Sequence, residues 1–352
     1  MVDDRFFYWD PNPELFSLPL LGWPILWYSA LFALGFALGF PLFVGILMRY
    51  FLQHPEVRKE EILDPSLSAD DINVDTPTPA TSSFSWRERG WLRASSKPER
   101  AARRLSLEKI YKGRLLPLRR QAVQIADRLI VYMVVGTVLG ARLGHFLFYE
   151  RPKDYLAHWA TIFKIPFEGL SSHGAALGIS LALVLFARRI RDHSRGLTWL
   201  RLLDFVSVPA ALAGCLIRIG NFFNQEILGT ATQMPWAVVF GHPADHSRPI
   251  PRHPVQLYEA FGYLIAFMIL YRMSLHAEPL KARGRLFGLF LILVFGSRWL
   301  FEFWKEEQSR LLPLGFSMTM GQILSIPAVI LGLSLLLSSF RYQRPGHTSF
   351  KK

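Results

Sequence analysis

The sequence predicts an all-α polytopic membrane protein of about seven transmembrane helices. The N-terminus is expected outside, the C-terminus in the cytoplasm, and a polar cavity in the outer half of the bilayer. Three observations carry this reading. The 352-residue chain is 51% hydrophobic with a mean hydropathy of +0.22, an average that mixes long apolar runs with one very polar block. Seven runs, near 23–49, 126–149, 169–187, 200–221, 256–272, 284–304 and 317–340, are of bilayer-crossing length, for which about 20 apolar residues are needed. Lys and Arg then concentrate in alternate connections, as cytoplasmic segments require.

The first run follows the acidic "MVDDRFF" and is too long for a signal-peptide core, so it is expected to stay as a helix. Residues 52–125 form a charged cytoplasmic insertion. Its first part is acidic and turn-rich, and its Thr-Pro-Thr-Pro-Ala-Thr-Ser-Ser run predicts a loosely held loop. Its second part, 87–120, carries twelve Lys or Arg against three Glu. That stretch either lies on an anionic leaflet, where each basic residue contributes about 1 kcal/mol, or is a solvated loop. The second run leads to an outer connection, and the third ends in the basic "ARRIRDHSRG". The fourth run passes into "RIGNFFNQE", and the fifth is entered from the outer side through "PRHPVQLYE". "KARGR" precedes the sixth, and "RYQRPGHTSFKK" follows the seventh. The net charge of +13 is therefore a topology signal, and no nucleic-acid partner is expected.

Ionisable residues within the membrane zone cost about 2.5–3.5 kcal/mol for a central arginine on insertion scales, and they mark functional sites. Arg142, Arg218 and Arg298 are of this kind. Arg218 and Asn221 share a helix face at i,i+3, as do Arg142 and His145, while Arg298 and Glu302 are placed at i,i+4 for an internal ion pair. Glu226 and His173 fall toward the outer ends of the fourth and third runs, which face the same side of the membrane. Planar, permanently charged guanidinium groups bind phosphate bidentately, and a phospholipid headgroup is the anion available at that depth. The alternative is that each arginine snorkels or pairs with Asp204, Glu226, Glu259 or Glu302 as structural glue. His173, followed by Gly174, Ala175, Ala176 and Gly178, reads either as a base at a helix mouth or as a structural hydrogen-bonding group. The single cysteine, Cys215, allows no intrachain disulfide and reads as a small buried residue. The scattered histidines show no metal-ligand spacing, and no nucleophile elbow or phosphate-binding glycine loop is present.

The blocks "LWYSALFALGF", "GARLGHFLFYE", "SSHGAALG", "RIGNFFNQEILG", "PRHPVQLYE", "GLFLILVFGSRWLFEF" and "MGQILSIP" follow one another along the chain. In that order they resemble the bacterial prolipoprotein diacylglyceryl transferases, and residues 218–229 match the G-R-x-G-N-F-x-N-x-E-x-x-G signature of the family except at its first glycine. The resemblance spans nearly everything except the 52–125 insertion and the tail. It implies that Tyr28, His173, Arg218, Asn221, Glu226, Gly229, Arg298 and Glu302 lie in an active site. Three departures stand out: Ile217 replaces a glycine before the arginine, Ala175 and Ala176 follow His173-Gly174, and Val294 replaces a tyrosine four residues before Arg298. The last removes a hydroxyl that Phe295 cannot supply.

The resemblance also implies the reaction: transfer of diacylglyceryl from phosphatidylglycerol to the lipobox cysteine thiol of a signal-peptide-bearing precursor, in the bacterial inner membrane, with glycerol 1-phosphate leaving. Membrane lipid and that signal peptide are the partners implied, and no cofactor or metal is expected. Arg218 and Arg298 would neutralise the leaving phosphate, Arg142 would assist from behind, and His173 would act as base. Asn221 and Glu226 would orient the headgroup or hold Arg218, and Glu302 would hold Arg298. The implied division is a first helix within 1–51, the insertion, a six-helix catalytic core at 126–340 and a basic tail at 341–352. A lipid transporter and an inactive precursor-binding scaffold are the competing readings.

Overall fold

The computed structural model describes residues 5–17, 24–53, 116–149, 171–190, 196–276, 280, 282–306 and 318–341. Most of the 52–125 insertion and the 341–352 tail lie outside these residues. Among the described residues are seven long helices: α1 (Trp27–Gln53), α2 (Leu116–Tyr149), α3 (Ser172–Ile190), α4 (Trp199–Phe223), α5 (Val255–Ser274), α6 (Arg285–Phe301) and α7 (Met320–Arg341). Each overlaps one apolar run of the sequence. Helix α2 starts ten residues before the run at 126, inside the block read as insertion. Five of the seven, α1, α2, α4, α6 and α7, are long and apolar enough to cross a membrane. Helices α3 and α5 fall outside that group; they carry Arg188 and Arg189, and Gln256, Glu259 and Arg272, respectively. The chain is a mostly helical polytopic membrane protein.

Large apolar side chains point outward along these helices: Val131, Val135, Leu139, Leu143 and Leu147 on α2, Leu177 and Leu181 on α3, and Ile330 and Leu337 on α7. Apolar area exposed on this scale marks a lipid-facing surface. The main packed core sits toward the C-terminal half of α1, where Tyr50 and Phe51 meet Phe186 of α3 and Phe205 of α4. Asp204 of α4 fixes α6 at that end. Its carboxylate accepts the backbone N–H groups of Gly284 at 2.7 Å and Phe287 at 2.8 Å, satisfying donors that a helix N-terminus leaves orphaned. Helices pack chiefly as α2 on α3, α1 on α4, α6 on α7 and α4 on α5. The α2–α3 contact is backbone to backbone: a Cβ at Gly140 would collide with the carbonyl of Gly174, and one at Gly178 with the carbonyl of Gly136. The small residues after His173 therefore admit a neighbouring helix, as small-xxx-small faces do.

The all-helical expectation needs one correction. A small β head covers the end of the bundle where α4 finishes and α1 and α5 begin. Strand β1 (Phe7–Trp9) pairs parallel with β4 (Val238–Phe240), and β4 pairs antiparallel with β5 (Pro251–Arg252). Strands β2 (Glu14–Ser17) and β3 (Pro24–Leu26) form a hairpin that leads into α1. Three-residue strands carry too few positions for period-two alternation to show in sequence. Trp9 anchors the head, stacking on Phe222 at 4.7 Å and donating its indole N–H to the Phe222 carbonyl.

Candidate active site

The "RIGNFFNQE" segment ends α4 beneath the β head and builds a chain of contacts in sequence order. Arg218 donates from Nη1 to Asn221 Oδ1 at 3.3 Å, as the i,i+3 spacing predicts. Asn221 donates to Glu226 Oε2 at 3.0 Å, and Asn224 donates to Oε1 at 2.9 Å. Gln256 of α5 donates to the Glu226 carbonyl at 2.6 Å, and the Glu226 N–H returns to the Asn221 carbonyl. The turn that permits this puts Gln225 and Ile227 at φ +53° and +58°. For a β-branched residue such as Ile227 that conformation is strained, and strain of this kind gathers at functional sites.

The charges of the site are set across three helices. Glu259 of α5 is fully buried. It faces Arg218 Nε through Oε2 at 2.9 Å and accepts from Lys305 Nζ through Oε1 at 3.1 Å. The Arg218 contact is a charge approach without an aligned hydrogen bond. Lys305 also binds Glu302 Oε2 at 3.1 Å. The expected Arg298–Glu302 pair is therefore corrected. The chain passes from α6 into a 3₁₀ turn at Glu302–Trp304, and Glu302, packed against Gly321, takes Lys305. Among the described residues, Arg298 makes no ion pair or hydrogen bond. Its charge is felt at Tyr263 of α5, whose hydroxyl also interacts with Arg218. A half-buried arginine without a carboxylate partner leaves its charge available to an anionic ligand.

The remaining expected site residues are placed as follows. Tyr28, in the first turn of α1, lies over Gly220 of α4 and within electrostatic reach of Glu226 and Arg218. Gly229 lies in a tight crossing: a Cβ there would strike the His253 carbonyl, its strand-like bridge reaches Lys305, and its own carbonyl accepts from Arg252 at 3.2 Å. Arg142 is buried on α2 with its guanidinium 4.6 Å from the centre of the Phe146 ring. The backbone of His173 belongs to the first turn of α3, while its side chain lies outside the described residues.

Lys305 and Tyr263 were not singled out as site residues in the sequence. Lysine three residues after Glu302 reads as a surface pair, and a tyrosine in "EAFGYLIAF" reads as one more apolar helix residue. Two cavities flank the cluster. One, of about 320 Å³, is apolar and runs between α1, α2 and α4 from Ile217 to Phe43. The other, of about 540 Å³, is lined by Glu226, Ile227, Asp245 and Glu306.

Comparison with known proteins gives the family. The family described as prolipoprotein diacylglyceryl transferase matches residues 105–338. A phosphatidylglycerol–prolipoprotein diacylglyceryl transferase of Protochlamydia amoebophila is 36% identical over 96% of each chain. One from Chloroherpeton thalassium is 35% identical over 99% of this chain and 100% of its own length. One from Tolumonas auensis is 45% identical over 60% of this chain and 78% of its own. With seven family blocks in order, four of them meeting in one charge cluster, and with whole-length relatives, this chain belongs to the prolipoprotein diacylglyceryl transferase family.

Proposed function

We propose that the Arg218–Arg298 cluster is the site at which this enzyme moves the diacylglyceryl group of phosphatidylglycerol onto the lipobox cysteine of a prolipoprotein. The thiolate Sγ attacks the glycerol carbon that carries the phosphate ester. An Sγ–C bond forms, the C–O bond breaks, and its electron pair stays on oxygen as glycerol 1-phosphate departs. A free thiol has a pKa of about 8.5 and is mostly protonated at neutral pH, so a base must take its proton. His173, in the first turn of α3, is assigned that role, as the family resemblance of its block implies.

The observation that carries the reading is Arg298, half-buried and without a hydrogen bond or ion pair among the described residues, close to an Arg218 that Glu259 holds. Fixed cations in a dry site stabilise charge that develops on a leaving oxygen at little reorganisation cost. Asn221 and Asn224 keep Glu226 fixed for the glycerol hydroxyls, and Tyr28 closes the same side. Arg142 adds positive potential from α2. Glu302 acts through Lys305, which it shares with Glu259. The apolar cavity that begins at Ile217, next to Arg218, offers acyl chains a dry path. All seven helices then span the bacterial inner membrane, N-terminus outside, with the cluster in the outer half, where the precursor's signal peptide presents its cysteine.

The test is an end-point assay on detergent-purified protein with phosphatidylglycerol and a lipobox peptide. Glycerol phosphate release matched by a lipid mass gain on the peptide is expected. Arg218→Ala should lose at least about a hundredfold in rate, as removal of a transition-state charge contact does, and a peptide with serine for cysteine should gain no lipid. Binding of lipid and peptide without product would instead leave a scaffold.

A further inference from the structure

A groove of about 390 Å³ runs along α1 beside α4 and α5, toward the end of α1 away from the Arg218 cluster. Its walls are Leu38, Leu42 and Gly45 of α1, Leu212 of α4 and Phe267 of α5. Gly45 keeps it open, because a Cβ there would meet nothing within 4 Å. Arg49 of α1 and Tyr271 of α5 line the same groove, and the guanidinium carbon is 6.0 Å from the centre of the tyrosine ring. Nη1 of Arg49 is buried and meets no hydrogen-bond partner among the described residues. An arginine that merely snorkels keeps its charged head in water. This one holds a donor inside the fold, and a buried donor left unsatisfied is costly.

The dimensions fit one leaflet. Leu38 and Arg49 are eleven positions apart, about 16 Å at 1.5 Å per residue, and about half of a hydrocarbon core 30 Å thick. Helix α1 begins at Trp27, so Arg49 lies about 33 Å below that start on the same rise. That depth is the headgroup level opposite the cluster, the cytoplasmic one in the orientation proposed above. We infer that this groove binds an anionic phospholipid of that leaflet, with an acyl chain along α1 and the phosphate on Arg49. Apolar walls that lead to one unpartnered guanidinium match such a lipid in shape and in charge. The groove shares no residue with the Arg218 cluster, so this lipid is bound and not consumed. Its chain fills a seam between the helices that carry Tyr28, Arg218 and Glu259.

The test is photolabelling of the full chain in phosphatidylethanolamine vesicles holding a trace of phosphatidylglycerol with a photoreactive acyl chain. Labelled residues are read by peptide mass spectrometry. Labels are expected on the groove residues of α1 and α5. Arg49→Gln should lower them about tenfold, the scale of a lost hydrogen bond between charged groups, while labels on the outward Leu337 face of α7 stay unchanged. Gly45→Leu should lower them as far by filling the groove, and the exchange itself favours a helix. Groove labelling that Arg49→Gln leaves unchanged, or that photoreactive phosphatidylethanolamine matches, marks bulk lipid and overturns the inference. No groove label in the wild type means that another segment or a second copy covers the groove, which overturns it as well. None of these readouts needs turnover, so the groove and the transferase assignment stand or fall separately.

Discussion

At the scale of single residues, the site depends on which carboxylate meets which cation. Glu259 has no solvent to fall back on, and Lys305 is nearly as buried. Removing one member of a buried pair costs about 3–5 kcal/mol because it strands the other charge. Lys305→Met should therefore lose about 3 kcal/mol, the lower end of that range, since Arg218 still faces Glu259. Lys305→Arg should keep most of that stability. Thermal unfolding of the purified variants would check both. Sequence reasoning found Arg218, Asn221 and Glu226 because their contacts run within one local segment. It misassigned Glu302, because spacing along a helix takes no account of the 3₁₀ turn that brings Lys305 to it.

At the scale of elements, the entry to α5 contains a pH-sensitive joint. Trp236 donates its indole N–H to the Tyr258 hydroxyl at 2.7 Å, and that hydroxyl lies 3.1 Å from His253 Nδ1. With the indole already donating, the phenol proton is free to turn to Nδ1, which accepts it only when the ring is neutral. Burial holds the His253 ring below the ordinary imidazole value. A lowered histidine pKa favours the neutral form in the fold. Its contribution is therefore complete above the unfolded value of about 6.5 and is lost as the pH falls through the lower folded value. The Tm should drop between about pH 7 and 5.5, the range that brackets this histidine, and drop less in His253→Gln. Spacing along the chain does not show this joint, because Trp236 lies 22 positions before the Tyr258 it meets, in an irregular segment.

At the scale of the whole molecule, α2 and α3 form a pair whose glycines bring their backbones into contact, and under the proposed function that pairing sets where Arg142 and His173 stand. Gly140→Leu would push the Gly174 backbone away. Misplacement of catalytic groups by about 1 Å can cost about a hundredfold, so transfer should fall to that extent while the protein still inserts. Activity measured beside the yield of membrane-extracted protein would separate the two effects. The sequence by itself determined a mostly helical polytopic membrane protein, the family and the shared face of Arg218 and Asn221, because apolar runs and i,i+3 spacing are local properties. Only the tertiary structure decided that Glu259 is shared by Arg218 and Lys305, that Arg298 stands apart from Glu302, and that Tyr263 enters the site beside Val294. These contacts join separate helices, and their partners are chosen by how α4, α5 and α6 pack, which no spacing along the chain records.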